Sequence, residues 1–265
     1  MNSNLSDFLG HMAVHAQRFV VLDNGNHCLT LFELDSGVCI AHTGSRGEGA
    51  GQFQSLTGVA FNSRGEIYVS DSCLRRIQVF DENATYMRVF PCNTLLHDPC
   101  GLACTPTDQL VVCNGEKHQI CVLGEDGVVL CAFGTMGAAD GQFNVPRAVC
   151  VARDGRIIVL DSGNQGVQIF DQHGSFVRSI GSKGKRRGQF MWPLSIAMAP
   201  TGEIAVADFH QKRSGVQVFS DTGVLLHTLQ CPIWGSDAGI RGVAMDAQGR
   251  LLVAYKNVIA MHSKL

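Results

Sequence analysis

The densest run of residues able to do chemistry lies between 182 and 215. SKGKRRGQFMWP (182–193) carries Lys183, Lys185, Arg186 and Arg187, four cations in five residues, close to Trp192; DFHQKRSG (208–215) adds Phe209, Lys212 and Arg213. Cations interleaved with aromatic faces suit an anionic partner, held by charge and by stacking. For any single side chain among them, a solvated basic loop explains the sequence equally well. Arg75, Arg76, Arg147 and Arg241 are further cations in loop-like surroundings. A second set is acidic: Asp23, Asp71, Asp161 and Asp208 each close a short apolar run. Four such carboxylates arranged around a ring could hold a metal. Each, however, precedes a turn rich in Asn, Ser and Gly, where a carboxylate accepts backbone N–H groups. They are therefore expected to be structural turn caps, and no metal is expected.

Catalysis finds little support in the remaining residues. The ten histidines share no common position and form no HxH or HExxH pair, GxSxG is absent, and no glycine-rich phosphate loop leads into a helix. Neither a catalytic residue nor a cofactor is expected. The eleven cysteines are scattered, with no CxxC pair and no zinc-type Cys/His spacing, and several lie inside apolar runs such as LVVCN and QICVL. They read as reduced, mostly buried small hydrophobes of a cytoplasmic protein. The start MNSNLSDFLG has no signal-peptide pattern, and no apolar run nears the roughly 18 residues of a membrane span. No membrane partner is expected.

The elements that position these residues follow from an internal repeat. RFVVLD ending at Asp23, EIYVSD at Asp71, QLVVCN at Asn114, RIIVLD at Asp161, EIAVAD at Asp208 and RLLVAY at Tyr255 are spaced 48, 43, 47, 47 and 47 residues apart. A second run ends nine residues after each of the first four anchors, at Phe32, Phe80, Leu123 and Phe170; the fifth, at Phe219, comes two residues late. With an alternating segment before each anchor run and another after the second, a period holds four short strands. Four antiparallel strands per 40 to 50 residues make one propeller blade. The expected fold is all-β: one six-bladed β-propeller of four-stranded antiparallel blades over residues 1–265. The blades fall at roughly 11–44, 45–90, 91–134, 135–181, 182–230 and 231–265. Because the sixth repeat stops after three runs, LSDFLG is expected to supply its missing strand, with residues 4–9 pairing beside the C-terminal strand and closing the ring.

GSRGEGAGQFQSLTGVAFNSRGEIYVSDSCLRRIQVFD (44–81) resembles an NHL repeat, and GQF recurs at 141–143 and 188–190 with Pro146 and Pro193 three residues beyond each Phe. Repeats 1, 3 and 6 depart from the pattern. The likeness spans essentially the whole chain and is to the C-terminal domain of TRIM-NHL, or malin-like, E3 ubiquitin ligases. It implies a non-catalytic module that chooses a protein substrate or adaptor, or a single-stranded RNA, for a RING-bearing parent.

In a propeller the loops joining fourth to first strand and second to third share one face, here called the top. All of the cations named above are expected there, which makes the top net positive although the chain carries −2 overall. Protein partners are favoured by the acidic residues among these cations and by a pI near 6.5; RNA is the alternative. Binding is expected away from the axis, on blade 5 first, with Met136 and Trp234 as exposed apolar candidates. The GQF phenylalanines Phe53, Phe143 and Phe190 are expected to plug the packing between blades. The isolated domain is expected to be a monomer.

Overall fold

The computed structural model describes all residues except 1–4, 7, 93–95, 210–214, 231–238 and 264–265. Six antiparallel sheets are arranged as the blades of a propeller. Blade 1 holds β1 (Leu9–His15), β2 (Arg18–Asp23), β3 (Cys28–Glu33) and β4 (Cys39–Thr43). Blade 2 holds β5 (Leu56–Phe61), β6 (Ile67–Asp71), β7 (Arg76–Phe80) and β8 (Tyr86–Val89). Blade 3 holds β9 (Pro99–Cys104), β10 (Leu110–Asn114), β11 (Gln119–Leu123) and β12 (Val129–Phe133), with one 3-10 turn at Gly115–Lys117. The short parallel pair β13 (Thr135–Met136) and β14 (Gln142–Phe143) leads into blade 4, made of β15 (Pro146–Val151), β16 (Ile157–Asp161), β17 (Gly166–Phe170) and β18 (Phe176–Ile180). Blade 5 holds β19 (Pro193–Met198), β20 (Ile204–Asp208), β21 (Gly215–Phe219) and β22 (Leu225–Gln230), and blade 6 holds β23 (Ile240–Met245), β24 (Leu251–Tyr255) and β25 (Val258–His262).

The second strand of every blade is buried along its whole length apart from Arg18, because it is covered by a neighbouring blade on each face. Such strands read as continuous apolar runs, while the outer strands β4, β12 and β18 alternate or open to solvent. The cores lie between blades. Phe53 joins Leu29 and Leu31 of blade 1 to Val69 and Phe80 of blade 2; Phe143 and Phe190 do the same between blades 3 and 4 and between blades 4 and 5. All three rings are fully buried, and each lies 5.4 to 5.9 Å from the closing Phe of its own third strand. Phe90 and Cys92 fill the corresponding seam between blades 2 and 3, where GQF is missing.

The first strands β1, β5, β9, β15, β19 and β23 line the axis, each touching the next around the ring, and β1 meets β23. Small residues permit this approach. A Cβ on Gly58 would strike the Cys100 carbonyl, and one on Gly242 the Gly10 carbonyl.

The ring does not close as the sequence predicts. Blade 6 has three strands among the described residues, and Leu5, Ser6 and Phe8 belong to none of them. Ser6 instead lies over blade 1: its N–H donates to Asp23 Oδ2 at 2.8 Å and its hydroxyl to Asp23 Oδ1. Both oxygens of the Asp23 carboxylate accept from Ser6, charge-assisted bonds that hold the segment over blade 1, and Leu5 packs into the seam between blades 1 and 6. Closure is therefore made by the packing of β1 against β23. Asn4 and Asp7, part of the predicted strand, lie outside the described residues.

Candidate functional site

The basic loop of blade 5 is one of three built to the same plan. Loops 45–53, 135–143 and 182–190 each fold back so that Gln52, Gln142 or Gln189 accepts, through its side-chain oxygen, the N–H of Gly49 (2.9 Å), Ala139 (3.2 Å) or Arg186 (3.1 Å). At Gly47, Gly137 and Gly184, where φ is +156°, a Cβ would collide with that same glutamine. A second glutamine clasps each loop from the third strand. Gln78, Gln168 and Gln217 accept from the N–H of Gly51, Gly141 and Gly188 at 2.9, 2.9 and 2.7 Å. The same side chains donate to the carbonyls of Gln52, Gln142 and Gln189 at 2.8, 2.6 and 2.8 Å. Sequence reasoning missed this clasp. Its signal was the Gln of IQVF, VQIF and VQVF, present only in the repeats that also carry GQF.

The acidic set fastens these loops to their blades. Asp71 accepts from the N–H groups of Gln54 (2.7 Å), Ser55 (3.1 Å) and Leu74 (3.1 Å), so it joins the incoming loop to the turn between second and third strands. Asp161 accepts from Asn144 N–H (2.8 Å) and the Asn164 amide (2.7 Å), and Asp208 from the N–H groups of Met191 (3.0 Å) and Trp192 (2.8 Å). Asp23 takes the Ser6 and Asn26 N–H groups, and Asn114 serves blade 3 through His97. Burial raises the Asp161 carboxyl above the usual carboxylate range, against the pull of these donors. Among the described residues no three His, Cys, Asp or Glu side chains converge as metal ligands would, and no helix is long and apolar enough to cross a membrane.

With its loop so fixed, blade 5 presents a cleft of about 390 Å³ lined by Lys185, Arg186, Arg187, Asp208, Gly215 and Gln217, among others. The three cations are exposed, as is Lys183; Trp192, whose N–H is held by Asp208 of the cleft, is 60% exposed. None of these four cations enters an ion pair among the described residues. Phe209 is half-buried, its N–H on the Trp192 carbonyl and its ring against Gly239. Lys212, Arg213 and Trp234 lie outside the described residues.

The other sequence-selected cations lie elsewhere. Arg75 is exposed on blade 2, 3.8 Å from Glu116. Arg76 turns inward and donates to the carbonyls of Glu48 (2.7 Å), Gly49 (2.8 Å) and Gln52 (2.9 Å), holding loop 45–53 in place. Arg147 and Arg241 sit at the top of the axis, where each first strand shifts register against the second. They line a recess of about 190 Å³ with His11, Thr57, Cys100 and Leu194. Burial lowers the His11 pKa to about 4, and its Nε2 lies 3.2 Å from the Leu194 carbonyl. The Arg241 guanidinium stands 5.3 Å from the Phe8 ring centre. Met136 is 71% exposed at the tip of the blade-4 loop.

Comparison with known proteins follows the same outline. A family model described as an NHL repeat matches residues 53–80, and one described as a 6-bladed beta-propeller matches 142–232. The chain is 35% identical over 127 residues to "B-box type zinc finger protein ncl-1" of Caenorhabditis elegans, and 30% identical over 127 residues to "Protein brain tumor" of Drosophila melanogaster. Each alignment covers 46% of this chain, but only 14% and 12% of those longer proteins. Among solved structures, a streptogramin B lyase matches with a TM-score of 0.70 over 98% of this chain and 94% of its own, at 11% identity, a likeness of fold alone.

Proposed function

From the premise that this chain is a six-bladed NHL-repeat β-propeller with TRIM-NHL homologues, we propose that it is the substrate-recognition module of a TRIM-NHL-type E3 ubiquitin ligase, binding protein partners through its basic top face. One observation carries this reading: exposed Lys185, Arg186 and Arg187 line a cleft, Asp208 of that cleft holds the N–H of exposed Trp192, and none of the three cations has an ion-pair partner among the described residues. Unpaired cations on a loop fixed from two sides are pre-organised for an acidic surface, and an exposed Trp is a frequent anchor. Chemistry on ubiquitin would belong to a RING domain of the parent. Asp208 in the cleft and a pI near 6.5 favour protein over nucleic acid.

The second reading, single-stranded RNA bound by the same face, draws on those cations and on Trp192 as a stacking platform. A combined substitution of Lys185, Arg186 and Arg187 to Glu tests both. For protein recognition it should reduce the partners captured from cytoplasmic lysate while leaving the melting temperature unchanged; an unchanged set of partners would place the site elsewhere. For RNA, the domain titrated with a pool of short RNAs should bind with a steep salt dependence that the triple substitution abolishes. No binding at low salt removes that reading.

A further inference from the structure

Blades 2 and 5 share their loop hydrogen bonds but differ at one register position. Arg76 pairs with Asp71 across β6 and β7, and Gly215 pairs with Asp208 across β20 and β21. Loop 182–190 follows the backbone path of loop 45–53 position for position. Lys183 bridges Phe190 as Arg46 bridges Phe53, and the Gly184 N–H donates to the Phe190 carbonyl as that of Gly47 does to Phe53. The carbonyls of Lys185, Arg186 and Gln189 thus stand where Glu48, Gly49 and Gln52 stand in blade 2. There, three main-chain oxygens bind the Arg76 guanidinium at 2.7 to 2.9 Å, and no carboxylate forms an ion pair with it among the described residues. In blade 4, where Gly166 holds this register, the Asn164 amide reaches the Gly137 carbonyl instead. In blade 5 Gly215 supplies no side chain, and the cleft lies at that place.

We propose that the blade-5 cleft is a receptor for the guanidinium of an arginine on a protein partner, which takes from outside the position that Arg76 fills from within in blade 2. This rests on blade 5 being a protein-recognition surface. A planar fork of donors matches three carbonyls arranged for it, and a lysine ammonium does not. The Gln189 carbonyl has a lone pair left after its bond from Gln217, just as that of Gln52 serves both Gln78 and Arg76. Lys185, Arg186 and Arg187 at the rim repel a bare cation. The partner's arginine therefore sits within an acidic stretch, whose carboxylates meet the rim while the guanidinium enters the cleft.

The test uses the whole chain, isotopically labelled, titrated with the peptide acetyl-Glu-Asp-Arg-Asp-Glu-amide and with its citrulline counterpart. Citrulline keeps the shape of arginine but replaces one N–H donor group with a carbonyl and removes the charge. The arginine peptide should shift the backbone amide signals of residues 185–189 and bind about tenfold or more tightly than the citrulline peptide. Gly215→Arg, which installs the blade-2 side chain, should weaken the arginine peptide by a similar factor. Equal affinity for the two peptides overturns the proposal without recourse to any variant, as does a folded Gly215→Arg that binds undiminished. A pool of short RNAs that shifts the same signals more strongly and is blocked by Gly215→Arg also overturns it, in favour of a base-binding cleft. If the triple Glu substitution abolishes partner capture while the two peptides bind equally, only the guanidinium assignment fails; if capture is unaffected, the reading of blade 5 fails with it.

Discussion

Aspartate at the end of a second strand satisfies backbone donors on two separate segments, and this is why one residue type recurs there. Replacing Asp71 with Ala leaves the N–H groups of Gln54, Ser55 and Leu74 without their acceptor. The loss should be about 2–4 kcal/mol in urea denaturation, with Asn in its place recovering part of it. His11 makes a different contribution. Its pKa falls from 6.5 to about 4 on folding, so the unfolded chain binds the extra proton between those values. Stability should therefore decline as pH falls from 6.5 towards 4, by up to about 3 kcal/mol, and His11→Gln should flatten that part of the profile. The sequence made the aspartates legible because they recur with the repeat. It could not separate Arg76 from Arg75 or Arg147, since the carbonyls that engage Arg76 lie 24 to 28 residues earlier and come into reach only in the folded blade.

Strands and loops were read with uneven success, for physical reasons. The blade count was written in the spacing of apolar runs, because a second strand buried on both faces has to be apolar throughout. Ring closure was not. LSDFLG has the pattern of a fourth strand, but a pattern does not choose between a strand edge and a carboxylate, and Ser6 is bonded to Asp23. The cleft was legible only as a concentration of charge; its shape depends on Gly215, which the two-residue insertion disguised. The clasp on loop 182–190 can be tested directly. Removing the side chain of Gln217 frees the Gly188 N–H and the Gln189 carbonyl, so hydrogen exchange at Gly188 should quicken by about tenfold or more in Gln217→Ala, while amides of β19 and β20 keep their protection.

Among the described residues, ion pairs gather on one side of the molecule. Arg64 pairs with Glu66 and Glu125, Arg156 with Asp154 and Asp221, and Arg250 with Asp35 and Asp246, all on the face opposite the basic loops. On the top face the single ion pair among the described residues is the long Arg75–Glu116 contact. A protein that carries −2 overall should for this reason behave in an ion-exchange column as two different objects. At neutral pH and low salt it should be retained on a sulfonate resin, which an evenly charged protein with a pI near 6.5 would pass through, and it should adsorb in one orientation. Loss of that retention in the Lys185, Arg186 and Arg187→Glu variant would identify blade 5 as the adsorbing side; undiminished retention would move the attraction to Arg147 and Arg241 at the axis. Immobilised in this way, the propeller would hide its top face against the support and leave the opposite face exposed to solution.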